Sequence, residues 1–363
     1  MNFGEQFDDI TQDLWQNLSQ SKKPVVLYGM GDGAEKIIDV LNKKGLNVSA
    51  VFASDGFVRK KVFRGHTVES YSSICEKFDD FTVLVSFGTK RSEVIDNIIN
   101  ISHSRELYAP DVPVFGGGLF DLEYFGENFS RLERIYERLC DNISKKAFIC
   151  SIKYRLTGKI DYLFECETAP EESYLSVLRP YKDCVYIDVG AYNGDTVKEF
   201  SQYSGTDITV HAIEPDSKNF KKLSSYADLC DIKKIKLHNA AAWNENGYIT
   251  FYSRSGRNSA NTTAHKESVK AEQTASLTLD SIAEHADYIK IDAEGADKNA
   301  LLGAKRLISQ KNSPSLCVAA YHRTEDYFEI PECVFNINEN YKLYFRHFRH
   351  IPCWDTNFYF IKE

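Results

Sequence analysis

The residues that open a chemical argument are Asp188, Gly190, Gly194 and Glu214. Asp188 lies in Val185-Tyr-Ile-Asp-Val-Gly-Ala-Tyr-Asn-Gly194, whose first five residues, mostly β-branched or aromatic, read as a buried parallel strand. Gly190 and Gly194 break that strand, and Asp195 or Thr196 can cap the following helix. Lacking Cβ atoms, the glycines accept positive φ and let a ligand lie against backbone at the carboxyl edge of a sheet, where open α/β folds bind nucleotides. The turn has neither the glycine spacing of a dinucleotide fingerprint nor the lysine of a phosphate loop. Asp188 would repel a pyrophosphate but hold an ammonium. Glu214 ends the next strand about twenty residues past the turn, where a carboxylate accepts both hydroxyls of a ribose. A cationic amino acid joined to a ribose suits the pair, and S-adenosylmethionine (SAM) is such a ligand. Taken alone, the glycines read equally as a tight strand-to-helix connection.

The elements around this turn alternate strand and helix. Strands are expected at 185–189, 210–214, 236–240, 249–252, 288–292 and 315–319, then at 341–345 and 357–361. A mostly parallel, doubly wound sheet ending in antiparallel strands is the simplest packing. The polar stretch 253–275 reads as a loop. Earlier, residues 5–21 read as one amphipathic helix, and strands are expected at 24–28, 48–52, 82–86 and 112–115, with a helix over 93–101. Gly29-x-Gly31-x-x-Ala34 satisfies the dinucleotide pattern, a weak signal by itself. The chain thus divides into an N-terminal helix (1–21), a Rossmann-like unit (22–126), connecting helices with a lid-like stretch (127–169), and a larger α/β domain (170–363).

Composition excludes several classes. A net charge of −8 argues against nucleic acid as the partner, with only Lys233, Lys234, Lys236 and the 346–350 run as local basic exceptions. No stretch approaches a membrane span, and nine scattered cysteines without a Cys-x-x-Cys pair read as reduced thiols. A cytoplasmic protein is expected, acting on a small molecule or carbohydrate, with homo-oligomerisation left open.

Ile289-Lys-Ile-Asp-Ala-Glu-Gly-Ala-Asp297, together with Ile187–Gly194, Ala212–Asp216, Leu277–Asp280 and Leu302-Gly-Ala304, resembles the FkbM family of SAM-dependent methyltransferases over roughly residues 170–361. Ala293, Asp297 and Tyr192 depart from the family's usual valine, glutamate and asparagine. The first unit, through Tyr28-Gly-Met-Gly31 and Gly65-His-Thr-Val68, resembles the small Rossmann-like domains of bacterial sugar-modifying enzymes. The resemblance implies a class I methyltransferase fold and methyl transfer to a hydroxyl, commonly on a sugar or polyketide. It places Asp188, Gly190, Ala191, Asn193 and Gly194 on the methionine and ribose side, Glu214 on the ribose hydroxyls, Ala240 and Ala241 at the adenine, and Asp292 and Glu294 where the methyl leaves.

The SAM sulfonium already activates its methyl, so an enzyme must align an acceptor oxygen and take its proton. Asp292, Glu294 and His322 are the candidate bases, His322 as an imidazole titrating near neutrality. Asp292, Asp297 and His322 offer an alternative divalent-metal set, which their spacing does not settle. Arg346 and His347 resemble a family stretch that would contact substrate hydroxyls or phosphates, and Trp354 could stack on a sugar. Two other functions compete. One is an NAD-dependent sugar-nucleotide oxidoreductase using Gly29 and Gly31, although no Tyr-x-x-x-Lys pair supports it; the other is a module that binds SAM without turnover.

Overall fold

The computed structural model describes residues 2–58, 61–253 and 270–362. The first apolar runs build a six-stranded sheet from β1 (Val25–Tyr28), β2 (Val48–Ala53), β3 (Val62–Phe63), β4 (His66–Ser70), β5 (Thr82–Val85) and β6 (Glu106–Tyr108), in the order β3-β4-β2-β1-β5-β6. All pairings are parallel except β3 with β4. Helix Asp32–Lys43 lays Ala34, Ile37, Ile38 and Leu41 on one face, a helical stripe packed on Leu27, Val51 and Leu84. Helix Ser92–Ser102 covers the other face with Ile95, Ile98 and Ile101.

Three N-terminal expectations change. Residues 5–21 form a 3-10 turn, Gly4–Phe7, and a separate helix, Leu14–Gln20, because Asp13 and Gln16 make a capping box that starts the chain anew. Val112–Phe115 is irregular: Val112 packs on the core of the first sheet, while Val114 and Phe115 pack with Trp354. The connecting stretch is three helices, Leu122–Arg138, Asn142–Thr157 and Asp161–Glu165, the first two N-capped by Asp121 and Asp141. The second runs between the two halves: Phe148 and Ile152 join the core of the later sheet, Tyr154 that of the first.

The later sheet has seven strands. They are β7 (Val185–Val189), β8 (Thr209–Ile213) and β9 (Lys234–His238), followed after a small three-stranded sheet of β10 (Ala241–Ala242), β11 (Gly247–Ser253) and β12 (Lys270–Leu277) by β13 (Tyr288–Ile291), β14 (Ser315–Ala319), β15 (Lys342–His347) and β16 (Thr356–Ile361). The order is β15-β16-β14-β13-β7-β8-β9, with β16 antiparallel to both neighbours, as expected for a doubly wound sheet closed by antiparallel strands. Of the stretch expected as a loop, 270–277 is β12, antiparallel to β11, while 254–269 lies outside the described residues.

Strand alternation divides this sheet's faces by chemistry. Ile187, Val189, Ile289, Ile291, Leu316, Val318, Phe358 and Phe360 point into one apolar core. Tyr186, Asp188, Tyr288, Lys290, Cys317 and Tyr359 take the intervening positions in register. The strand order turns back between β7 and β13, so the switch-point crevice lies beyond Val189 and Ile291.

Candidate functional site

Gly190 and Asp292 meet at that crevice. Gly190 has φ 77°, and a Cβ there would stand 2.0 Å from the Asp292 carbonyl oxygen, so only glycine lets the two strand ends approach. The backbone N–H groups of Gly190 and Ala191 both donate to the Ile213 carbonyl, which ties the turn to β8. Gly194, φ 89°, lies against the Tyr226 ring, while Asn193 accepts from the Asp195 N–H within the turn. Asp188 was expected to hold a ligand's ammonium; it is instead fully buried, accepts from the Thr196 hydroxyl and faces Lys290 Nζ at 3.6 Å. The ammonium it meets is the protein's own.

Glu214 lies at the end of β8, almost wholly buried. Its two oxygens accept the N–H groups of Tyr192 (2.9 Å) and Asp216 (2.8 Å), leaving each a lone pair toward the crevice. Burial pushes its carboxyl up to about 7. Ala240 and Ala241 are buried past the end of β9, and the Asn239 amide donates to the Glu214 carbonyl, so the second and third turns are tied together.

Past β13 the chain folds back sharply, Glu294 taking φ 51°. Asp297 accepts the N–H groups of Ala293 and Gly295 and approaches His322 Nδ1 at 2.9 Å, pinning both the turn and the ring. On the ring's other side, Nε2 stands 3.2 Å from Asp292 and 3.8 Å from Glu294, neither aligned as a hydrogen bond. Burial opposes a charge on His322, yet Asp297 and Asp292 outweigh it and hold the imidazole well above its ordinary value. The two carboxylates thus favour the ring's charged form, where a near-neutral base was expected. Asp292 is held well below the usual carboxylate range: burial opposes ionisation, but Lys290 and His322 prevail. Glu294 is pushed up to about 8, chiefly by burial, and a third of its side chain stays exposed. The three metal-set residues do not converge on a point, since Asp292 and Asp297 flank opposite ring nitrogens; Asp326 joins Asp297 and His322 within 4.8 Å, shut from solvent.

The segment from Asp188 to His347 matches the family described as methyltransferase FkbM domain. A comparison with curated protein sequences found no match. Among solved structures, the methyltransferase FkbM from Methylobacillus flagellatus KT superposes with TM-score 0.75 at 20% identity, covering 99% of this chain and 98% of that one. A putative rRNA-methylase from Clostridium thermocellum is similar to 54% of this chain and 96% of its own, at 11% identity and TM-score 0.37.

The second half borrows one wall of its crevice from the first. The Phe115 N–H donates to the His322 carbonyl, its ring packs on Gly295, and Thr324 donates to the Gly118 carbonyl. Residues 113–118 thus cover the turn that carries Glu294. They also reach the helix after the first glycine turn, where Lys36 donates to the Pro113 and Val114 carbonyls; in that turn the Phe87 ring lies where a Gly29 Cβ would be.

Arg346 and His347 lie elsewhere. Arg346 is 1% exposed, donating to Glu172 and Asp141 and to Ser144, which hold its charge firmly against the cost of burial. His347 is buried against Thr356, and burial lowers it to about 3, so it is neutral. The Arg346 donors and His347 Nδ1 bind the protein, whereas the expectation from sequence was contact with a substrate; His347 Nε2 is buried without a hydrogen-bond partner among the described residues. Trp354 stacks on His350 and lies where a Gly88 Cβ would be, again an internal contact.

Sequence reasoning passed over Lys290 and Asp297 as organisers. Lys290 carried a signal: one charged residue inside an apolar strand. Phe115 carried none, because its partners lie about two hundred residues away in sequence.

Proposed function

We propose that the chain is a SAM-dependent O-methyltransferase acting on a hydroxyl of a sugar, a glycan precursor or a related small molecule. The observation that carries this reading is the convergence at one switch-point crevice of the Gly190 turn, the open lone pairs of Glu214, and the Asp292–Glu294–His322 group. Glu214 would accept the ribose hydroxyls, with Gly190, Ala191, Asn193 and Gly194 along the cofactor and Ala240 and Ala241 at the base. SAM supplies an activated methyl when bound.

What the chain's residues must add is alignment and a proton acceptor. Of the three candidate bases, His322 is held toward its charged form and Asp292 well below the usual carboxylate range, so we assign the role to Glu294, which burial pushes up to about 8. As the acceptor oxygen takes the methyl and the S–CH₃ bond breaks, the hydroxyl proton passes to the Glu294 carboxylate and S-adenosylhomocysteine is left. His322, anchored by Asp297, presents positive charge beside Asp292 and Glu294 and keeps the two acids apart in role. Lys290 braces Asp292 from below at 3.6 Å.

The test is calorimetric titration of the full chain with SAM, together with mass spectrometry of offered sugars. Binding weakened at least about tenfold in Glu214→Gln, and products heavier by one methylene, are expected. Absence of SAM binding would end this reading; tight binding without transfer to any acceptor would favour a non-catalytic module.

A further inference from the structure

The polar face of the seven-stranded sheet is not filled. Between it and the segment Ser173–Leu178, a six-residue π-helix, lies a cavity with about 190 Å³ in which the centre of a water molecule can move. A single water needs roughly 10–15 Å³ on that measure, so the space holds a small ring and not only solvent. A π-helix widens a turn by one residue and is frequent at functional sites. Its lining includes Tyr288, Ser315 and Cys317 and also Asp292 and Tyr321, whose hydroxyl donates to Asp292. The cavity therefore adjoins the proposed point of methyl transfer.

Its charges select the occupant. Three carboxylates, Glu199, Asp292 and Asp355, line it against two ammoniums, Lys90 and Lys290. Lys290 is already engaged by Asp188 and Asp292. Lys90, largely exposed, stands 3.9 Å from Asp355, and Glu199 has no ion pair among the described residues. Carboxylates accept hydrogen bonds and repel anions, and aromatic walls from Tyr174, Tyr186 and Phe200 offer edges and faces to a ring.

We infer that this cavity is the acceptor pocket and takes a single ring carrying hydroxyl or amine donors, without a phosphate. The word acceptor rests on the methyl-transfer reading; the ligand chemistry does not. It turns away from phosphate-bearing acceptors such as nucleotide-linked sugars, because among the described residues the two cations lining the pocket, Lys90 and Lys290, each already face a carboxylate.

The test uses saturation-transfer NMR and calorimetry on the full chain with methyl glucoside, glucosamine and glucose 1-phosphate, and SAM titrated in parallel. Methyl glucoside and glucosamine are expected to bind, and glucose 1-phosphate at least about fivefold more weakly. Cys317→Phe, which adds bulk to the lining, should abolish binding of both while leaving SAM affinity unchanged. Should that variant not fold, Glu199→Gln should weaken glucosamine about fivefold. The inference is overturned if neither neutral nor amine probe binds, if glucose 1-phosphate binds as tightly, or if the folded variant binds like the parent. SAM binding that persists in those cases leaves the methyltransferase reading standing alone.

Discussion

Two glycine turns occupy the same place in two sheets, after β1 and after β7, and they differ in what surrounds them. The first better fits the dinucleotide pattern, yet Phe87 lies on Gly29 and Lys36 is drawn to the carbonyls of 113–114. The second has the poorer fingerprint but adjoins Glu214 and the Asp292–Glu294 turn. Glycines allow a chain to bend close; the acids reaching the same edge from neighbouring strands decide what meets the bend.

The comparison breaks most sharply at Gly190. Gly190→Ala would drive a methyl into the Asp292 carbonyl, and a cost of about 3 kcal/mol or more is expected, with SAM binding lost; thermal denaturation and calorimetry read both. Next comes Glu294→Gln, for which kcat should fall about 10²- to 10⁴-fold while the SAM Kd is unchanged, separating proton transfer from binding. In the parent, kcat should rise as pH passes about 8, where Glu294 ionises, and the variant should lose that rise.

Stability should show the second turn's buried acid. Glu214 is raised from 4.5 to about 7, so its contribution is full below pH 4.5 and disappears as pH rises through 7, on the order of 3 kcal/mol. Denaturant midpoints from pH 5 to 8 should fall, and Glu214→Gln should flatten the fall. Smallest is Gly31→Ala in the first turn. Its φ of 121° costs about 1 kcal/mol with an added Cβ, but the space is open and SAM affinity should stay within about twofold. A large loss of SAM binding there would reverse the ranking of the two turns.

Much of the frame was legible because buried parallel strands write themselves as apolar runs: Val185–Val189 and Ser315–Ala319 appear with the expected bounds. So did the gathering of Asp292, Glu294 and His322, each just past a strand end. Val112–Phe115 misled because an apolar segment packed against another half of the chain looks like a strand. Arg346 misled for a related reason. Nothing local says whether an arginine in a strand faces a ligand or two carboxylates, and its partners, Asp141 and Glu172, lie 205 and 174 residues away. The protonation of His322 was equally hidden, since it depends on which acids reach the ring.

The covering loop at 113–118 makes the border between the halves a poor place to cut. Removing the first half would uncover His322 and strip Gly295 of the ring that rests on it. Water reaching that histidine would weaken its grip on a proton and loosen the bend bearing Glu294. The C-terminal half is thus a guest in a house whose lintel belongs to its neighbour, and a chimaera joining it to another N-terminal unit would need to carry this short span along.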